Sequence, residues 1–179
     1  MKKTIWVCGL IAGIVSVSWG VVCEGMLSDH LSLNARMFLG YATMILAFSL
    51  IFVAIKNYRD THNHGQITFG KALRIGLLVT LIASTVYVVI WMIDFSYFVP
   101  DFGKKYTAQA LAEMKANGAT AAAMQKEMDD MTVTMEKYKT SPLFRILLTY
   151  SEIVPVGVVV SLIAALILKR NSKTAIVNN

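Results

Sequence analysis

The run ALRIGLLVTLIASTVYVVIWMIDFSYF, residues 72–98, decides the fold class. Its only formally charged residues are Arg74 and Asp94, one near each end, and no proline interrupts it. As a helix rising about 1.5 Å per residue it is about 40 Å long, more than the roughly 30 Å of hydrocarbon in a bilayer. Three further stretches share this character: about Thr4 to Cys23, Ala35 to Ile55 and Leu143 to Leu168. The fold class expected is therefore all-α, a single-domain integral membrane four-helix bundle. A helical hairpin at about 103–140, between the third and fourth spans, is expected on the extracytoplasmic side.

Composition agrees with lipid as the solvent. The chain is 56% hydrophobic and only 16% charged, against about 25% charged in soluble domains. Its mean hydropathy is +0.58. A net charge of +6 would point to nucleic acid in a soluble protein, but the distribution here excludes that reading. Lys2, Lys3, Lys56, Arg59, Lys71, Arg74, Lys169, Arg170 and Lys173 gather at one set of span ends, with Asp60 as their only acid. The opposite ends mix Lys and Arg with all the other carboxylates. Because positive residues stay on the cytoplasmic side, both termini are expected in the cytoplasm of a bacterial inner membrane. The basic rim then contacts anionic headgroups, so membrane lipid is the first partner expected.

The Lys-Lys start resembles a signal peptide, but the apolar run behind it is longer than the usual 7–15 residues, so retention as a span is expected. Cys8 and Cys23 lie about 22 Å apart along one helix, too far to bridge, and read as small packing residues. His62 and His64 stand on the second connection without the further ligands zinc requires, so no metal and no cofactor is expected.

In the connection from Pro100 to Pro142, Asn117-Gly118 stops one short helix and Thr120 caps a second. On that second helix Met124, Met128, Met131 and Met135 recur at spacings of four, three and four, with Tyr138 three further on. Such a stripe buries against the first arm, the membrane surface, a second copy of the chain, or another membrane or periplasmic protein. Thioether groups also suit Cu(I), but no Cys or His accompanies them, so packing is the preferred reading.

Within the spans, Gly9 and Gly13 begin a face that Ser16 and Gly20 continue, and Gly157, Ser161 and Ala165 form another. Small residues let helices approach closely where lipid offers no hydrophobic drive. Either the first and fourth spans pair through these faces or one face makes a dimer; sequence alone leaves both open. Tyr41, Trp91, Phe95, Tyr97, Phe98 and Tyr150 read as an interfacial aromatic belt.

Four ionisable residues from four spans fall in one layer near the outer boundary: Glu24, Arg36, Asp94 and Glu152. Glu152 lies deepest, about 24 Å from Leu168. Pro155, three residues on, removes the donor that Ser151's carbonyl would use. An ionisable residue at that depth is a functional candidate. Two readings stand: a tie between helix tops, with Arg36 or Arg145 as counter-charge, or a proton, cation or small-ligand site. Asp94 is expected in water.

With these residues in view, the chain resembles domain-of-unknown-function family 4199, small bacterial membrane proteins. The resemblance spans almost the whole chain. It is carried by Gly40-Tyr41, Met44-Ile45 and Ser49-Leu50-Ile51-Phe52-Val53 leading to Lys56, Tyr58 and Arg59. Thr68-Phe69-Gly70-Lys71-Ala72, Pro100-Asp101-Phe102 and Tyr106 follow, then Glu152, Pro155-Val156-Gly157, Ser161-Leu162-Ile163 and Ala165. It implies architecture and an inner-membrane location, and no catalytic residues. No nucleotide loop, HExxH or nucleophile–base set occurs, so a non-enzymatic protein is expected, structural or recruiting a partner through its hairpin. The alternative is a small transporter or proton-linked channel using Glu152.

Overall fold

The computed structural model describes residues 2–22, 31–99 and 101–170; Cys23 and Glu24 lie outside them. The described chain is all-α: α1 (Lys2–Val22), α2 (Leu33–Phe48), α3 (Leu50–His62), α4 (Phe69–Tyr97), α5 (Phe102–Ala116), α6 (Ala121–Thr140) and α7 (Pro142–Leu168). Four helical paths are long and apolar enough to cross a membrane: α1, α2 running on into α3, α4, and α7.

The second path differs from its sequence reading at both its middle and its end. It breaks at Ser49, whose hydroxyl donates to the Leu46 carbonyl at 2.6 Å. Ser49 nonetheless keeps right-handed helical angles, φ −57° and ψ −22°, and its N–H still donates to the Ile45 carbonyl, so the path runs on through it. Nor does the helix stop at Ile55. It continues to His62, so Tyr58 and His62 are helical and stack with ring centroids 5.9 Å apart. Leaving the apolar run does not end a helix; a backbone breaker does, and here it comes at His64 and Gly65, both with positive φ. Thr68 then caps α4 by accepting from the Lys71 N–H, as Thr120 caps α6 from Ala123. Gly118, at φ 77°, turns α5 into α6.

Helix α4 is the hub, packing against α1, α3 and α7, and α1 also meets α2. The two small-residue faces do not meet each other. Each seats on α4, from opposite partners. A Cβ on Gly9 would come within 2.7 Å of the Ile82 side chain, and one on Gly13 within 2.6 Å of Val86. A Cβ on Gly157 would lie 2.9 Å from Phe48 and collide with Thr80. Gly76 of α4 answers Ser161 of α7 in the same way. The buried Thr80 and Ser161 hydroxyls, 3.2 Å apart, satisfy each other across this seam. The loop before α4 also pairs with the end of α7, where Ile67 and Arg170 exchange two backbone hydrogen bonds.

Candidate functional site

At the end of the helices farthest from the basic rim, α1, α2, α4 and α7 enclose a cavity of about 370 Å³. Small residues make room for it: Ser16 and Gly20 on α1, Gly40 on α2. Its walls are mainly aromatic, with Trp19, Tyr41, Tyr87 and Trp91 from the long helices and Phe102, Tyr106 and Tyr138 from α5 and α6. Among the described residues its charged groups are Arg36 and Glu152. Glu152 is exposed to this space, and among the described residues its carboxylate has neither a hydrogen-bond partner nor an ion pair. The Ser16 hydroxyl is buried at the cavity edge and likewise unpartnered. Trp19 holds the wall together by donating its indole N–H to the Arg36 carbonyl at 3.2 Å.

The paired helices α5 and α6 are docked over this cavity by an aromatic cluster. Trp91 donates its indole N–H to the Tyr138 hydroxyl at 2.6 Å. Phe95 meets the Tyr138 ring edge-on at 5.3 Å, and Phe102 stands 5.5 Å from Trp91, also edge-on. Edge-to-face contacts at these spacings contribute about 0.5–1.5 kcal/mol each beyond area burial. The buried Arg145 guanidinium lies 4.0 Å over the Phe95 ring and 5.7 Å from the Tyr138 ring centroid, a cation–π arrangement. Burial pushes the Tyr138 phenol above its usual range. A second tie reaches α2. Glu113 of α5 accepts from the Leu33 N–H at 2.7 Å, satisfying a helix-start donor that has no partner within its own helix, and Gln109 donates to the Leu31 carbonyl.

A family model for a protein of unknown function, DUF4199, matches residues 8–170. The chain belongs to the DUF4199 family. No curated protein and no solved structure matches this DUF4199 chain.

The candidate residues of this DUF4199 chain divide as follows. Arg36, Glu152 and Gly20 line the cavity. Pro155 lies on an exposed face of α7 and outside the cavity lining, and Glu24 lies outside the described residues. Asp94 is also apart from the lining. It was expected in water, yet it is 8% exposed, at the end of α4 where the Phe98 and Val99 N–H groups both donate to its backbone carbonyl. Arg145, a proposed counter-charge for Glu152, instead occupies the aromatic dock. Trp91 and Phe95 leave the expected belt because Phe102 of α5 and Tyr138 of α6 pack on them, while Tyr97 and Phe98 remain exposed. Met135 lines the cavity and packs beside Gly103, Met124 and Met131 are half-buried, and Met128 is exposed. Sequence reading missed Tyr87 and Tyr106 as cavity walls and Glu113 as a cap. Tyr138 was signalled by its place on the Met stripe; Glu113 carried no local signal. No group of His, Cys, Asp and Glu among the described residues could hold a metal.

Proposed function

We propose that this protein is a non-enzymatic, multi-pass component of the bacterial inner membrane, with both termini cytoplasmic, that binds a small organic cation or zwitterion beneath its extracytoplasmic hairpin. The observation that carries this reading is the Glu152 carboxylate, unpaired among the described residues, facing an aromatic-walled cavity. Pockets of roughly 300–1,000 Å³ with apolar walls and a few convergent polar groups suit small ligands. Aromatic faces attract ammonium groups through their quadrupoles, and more strongly once desolvated. Glu152 supplies the counter-charge, and Arg36 lies on the same lining.

The basic rim supports the orientation. Binding is favoured over passage because, from Glu152 toward that rim, the α4–α7 seam is closed by Phe48, Thr80, Gly157 and Ser161. The test is calorimetric titration of the detergent-purified protein with choline and betaine, with uncharged glycerol as control. Saturable binding of an ammonium compound that Glu152→Gln abolishes supports the proposal. Absence of binding, or equal binding by Glu152→Gln, refutes it; flux through liposomes that depends on Glu152 would favour a proton-linked channel instead.

A second reading concerns the hairpin itself. Met128 is 39% exposed and Val133 55%, on a helix whose only buried residue is Tyr138. That surface is fitted to recruit a partner or a second copy. Crosslinking that captures the same species from wild type, and loses it in Met128→Glu, would support recruitment.

A further inference from the structure

At the opposite end of the molecule, α1 and α4 flank a groove of about 750 Å³ on the surface. Along its floor Ile75, Leu78, Ile82 and Val86 follow one another at spacings of three and four, the period of one helix face. Lys2, from the start of α1, and Lys71 and Arg74, from the first turns of α4, line it together with Trp6. Among the described residues no carboxylate lines the groove. Among the described residues none of the three cations has an ion pair; Lys71 only approaches the Tyr58 ring, at 5.5 Å.

We propose that this groove binds one anionic diacyl phospholipid, its phosphate held by Lys2, Lys71 and Arg74 and an acyl chain lying along α4. Two chemistries meet in one trough, and they match the two ends of such a lipid. The apolar part from Arg74 to Val86 runs about 18 Å along α4. One leaflet of hydrocarbon is about half of the roughly 30 Å core, so an acyl chain of ordinary length fills it. Basic pockets between spans on the cytoplasmic side hold acidic headgroups in this way, and an indole beside them sits at headgroup level. A second copy of the chain does not fit, because a symmetric contact would set the same three cations against their own images. The site shares no residue with the Glu152 cavity, so it stands or falls independently of the ligand reading above.

The experiment is native mass spectrometry of the purified protein in a non-ionic detergent, titrated with phosphatidylglycerol or with phosphatidylcholine carrying the same chains. One phosphatidylglycerol per chain is expected, bound at least tenfold more tightly than phosphatidylcholine. Lys71→Gln with Arg74→Gln should weaken it about 25-fold, each charge near an anionic headgroup being worth roughly a factor of five. Lys56→Gln with Lys169→Gln removes two rim charges outside the groove and should change nothing. Leu78→Trp should weaken binding by filling the trough with charge unchanged, which keeps the test open if the double variant does not fold. Equal affinity for the two lipids, equal losses in both double variants, or displacement by millimolar inorganic phosphate would overturn the proposal.

Discussion

Replacing Glu152 by Gln separates a carboxylate that ties helices together from one held ready for a ligand. If Glu152 were half of a buried ion pair, its removal would strand the partner charge and cost about 3–5 kcal/mol. The structure shows no such partner among the described residues: Arg145 is engaged with Phe95 and Tyr138, and no ion pair joins Glu152 to Arg36. An acidic side chain at the centre of a span costs about 2.5–3.5 kcal/mol, and less toward the boundary. Glu152 lies about 24 Å from Leu168, so it sits about 6 Å inside the far boundary of a 30 Å core, beside a cavity that admits water. The expected cost of the charge is thus about 1 kcal/mol or less. Glu152→Gln should leave stability unchanged or raise it by up to that amount, and for a chain of this size 1 kcal/mol moves Tm by about 2–4 °C. The assay is thermal unfolding of wild type and variant in mild detergent at neutral pH, without added ligand. A fall in Tm of more than about 4 °C would refute the reasoning, because it would reveal a partner that Glu152 stabilises.

Four further outcomes are expected. Gly13→Ala and Gly157→Ala should each destabilise by about 1–3 kcal/mol, since the added Cβ meets Val86 or Phe48 and Thr80. Gly20→Ala, with Trp91 3.9 Å away, should be tolerated within about 0.5 kcal/mol in the same melts. Trp91→Phe and Tyr138→Phe should each cost about 1 kcal/mol and speed proteolysis between α5 and α6; a double-mutant cycle without coupling would show that the 2.6 Å bond contributes nothing. Glu113→Ala should fray the start of α2 by about 1 kcal/mol, read as faster amide exchange at Leu33. Finally, the fold favours the neutral Tyr138 phenol, so its folded pKa lies above the unfolded value near 10. That stabilisation is complete below about pH 10 and is lost as pH rises through the folded value. Stability measured up to pH 11 should therefore fall more steeply in wild type than in Tyr138→Phe.

Much of the architecture was legible because a membrane imposes its demand locally. Each crossing helix must be apolar along its own length, so residues 72–98 announce α4 without reference to anything else in the chain. Caps and turns are equally local, which is why Thr68, Thr120 and Gly118 could be read from their neighbours. Even Glu152 stood out alone, as a carboxylate inside an apolar run.

Which face meets which is not a local property. The small residues of α1 and α7 predicted close approach but not the partner, and α4 received both because it carries Gly76, Ala83 and side chains that fit on two sides. Arg145 looked free to neutralise Glu152 until α6 laid Tyr138 beside it and Phe95 offered a ring face. Glu113 caps a helix start some eighty residues away in sequence, through a bond that no spacing rule encodes. The sequence alone determined that four stretches fit a membrane and that charge divides their ends. The tertiary structure alone decided that Glu152 is left at a cavity without a partner among the described residues. Apolar length is summed along one helix, whereas the pairing of a buried charge depends on which side chains the other helices bring within a few ångströms.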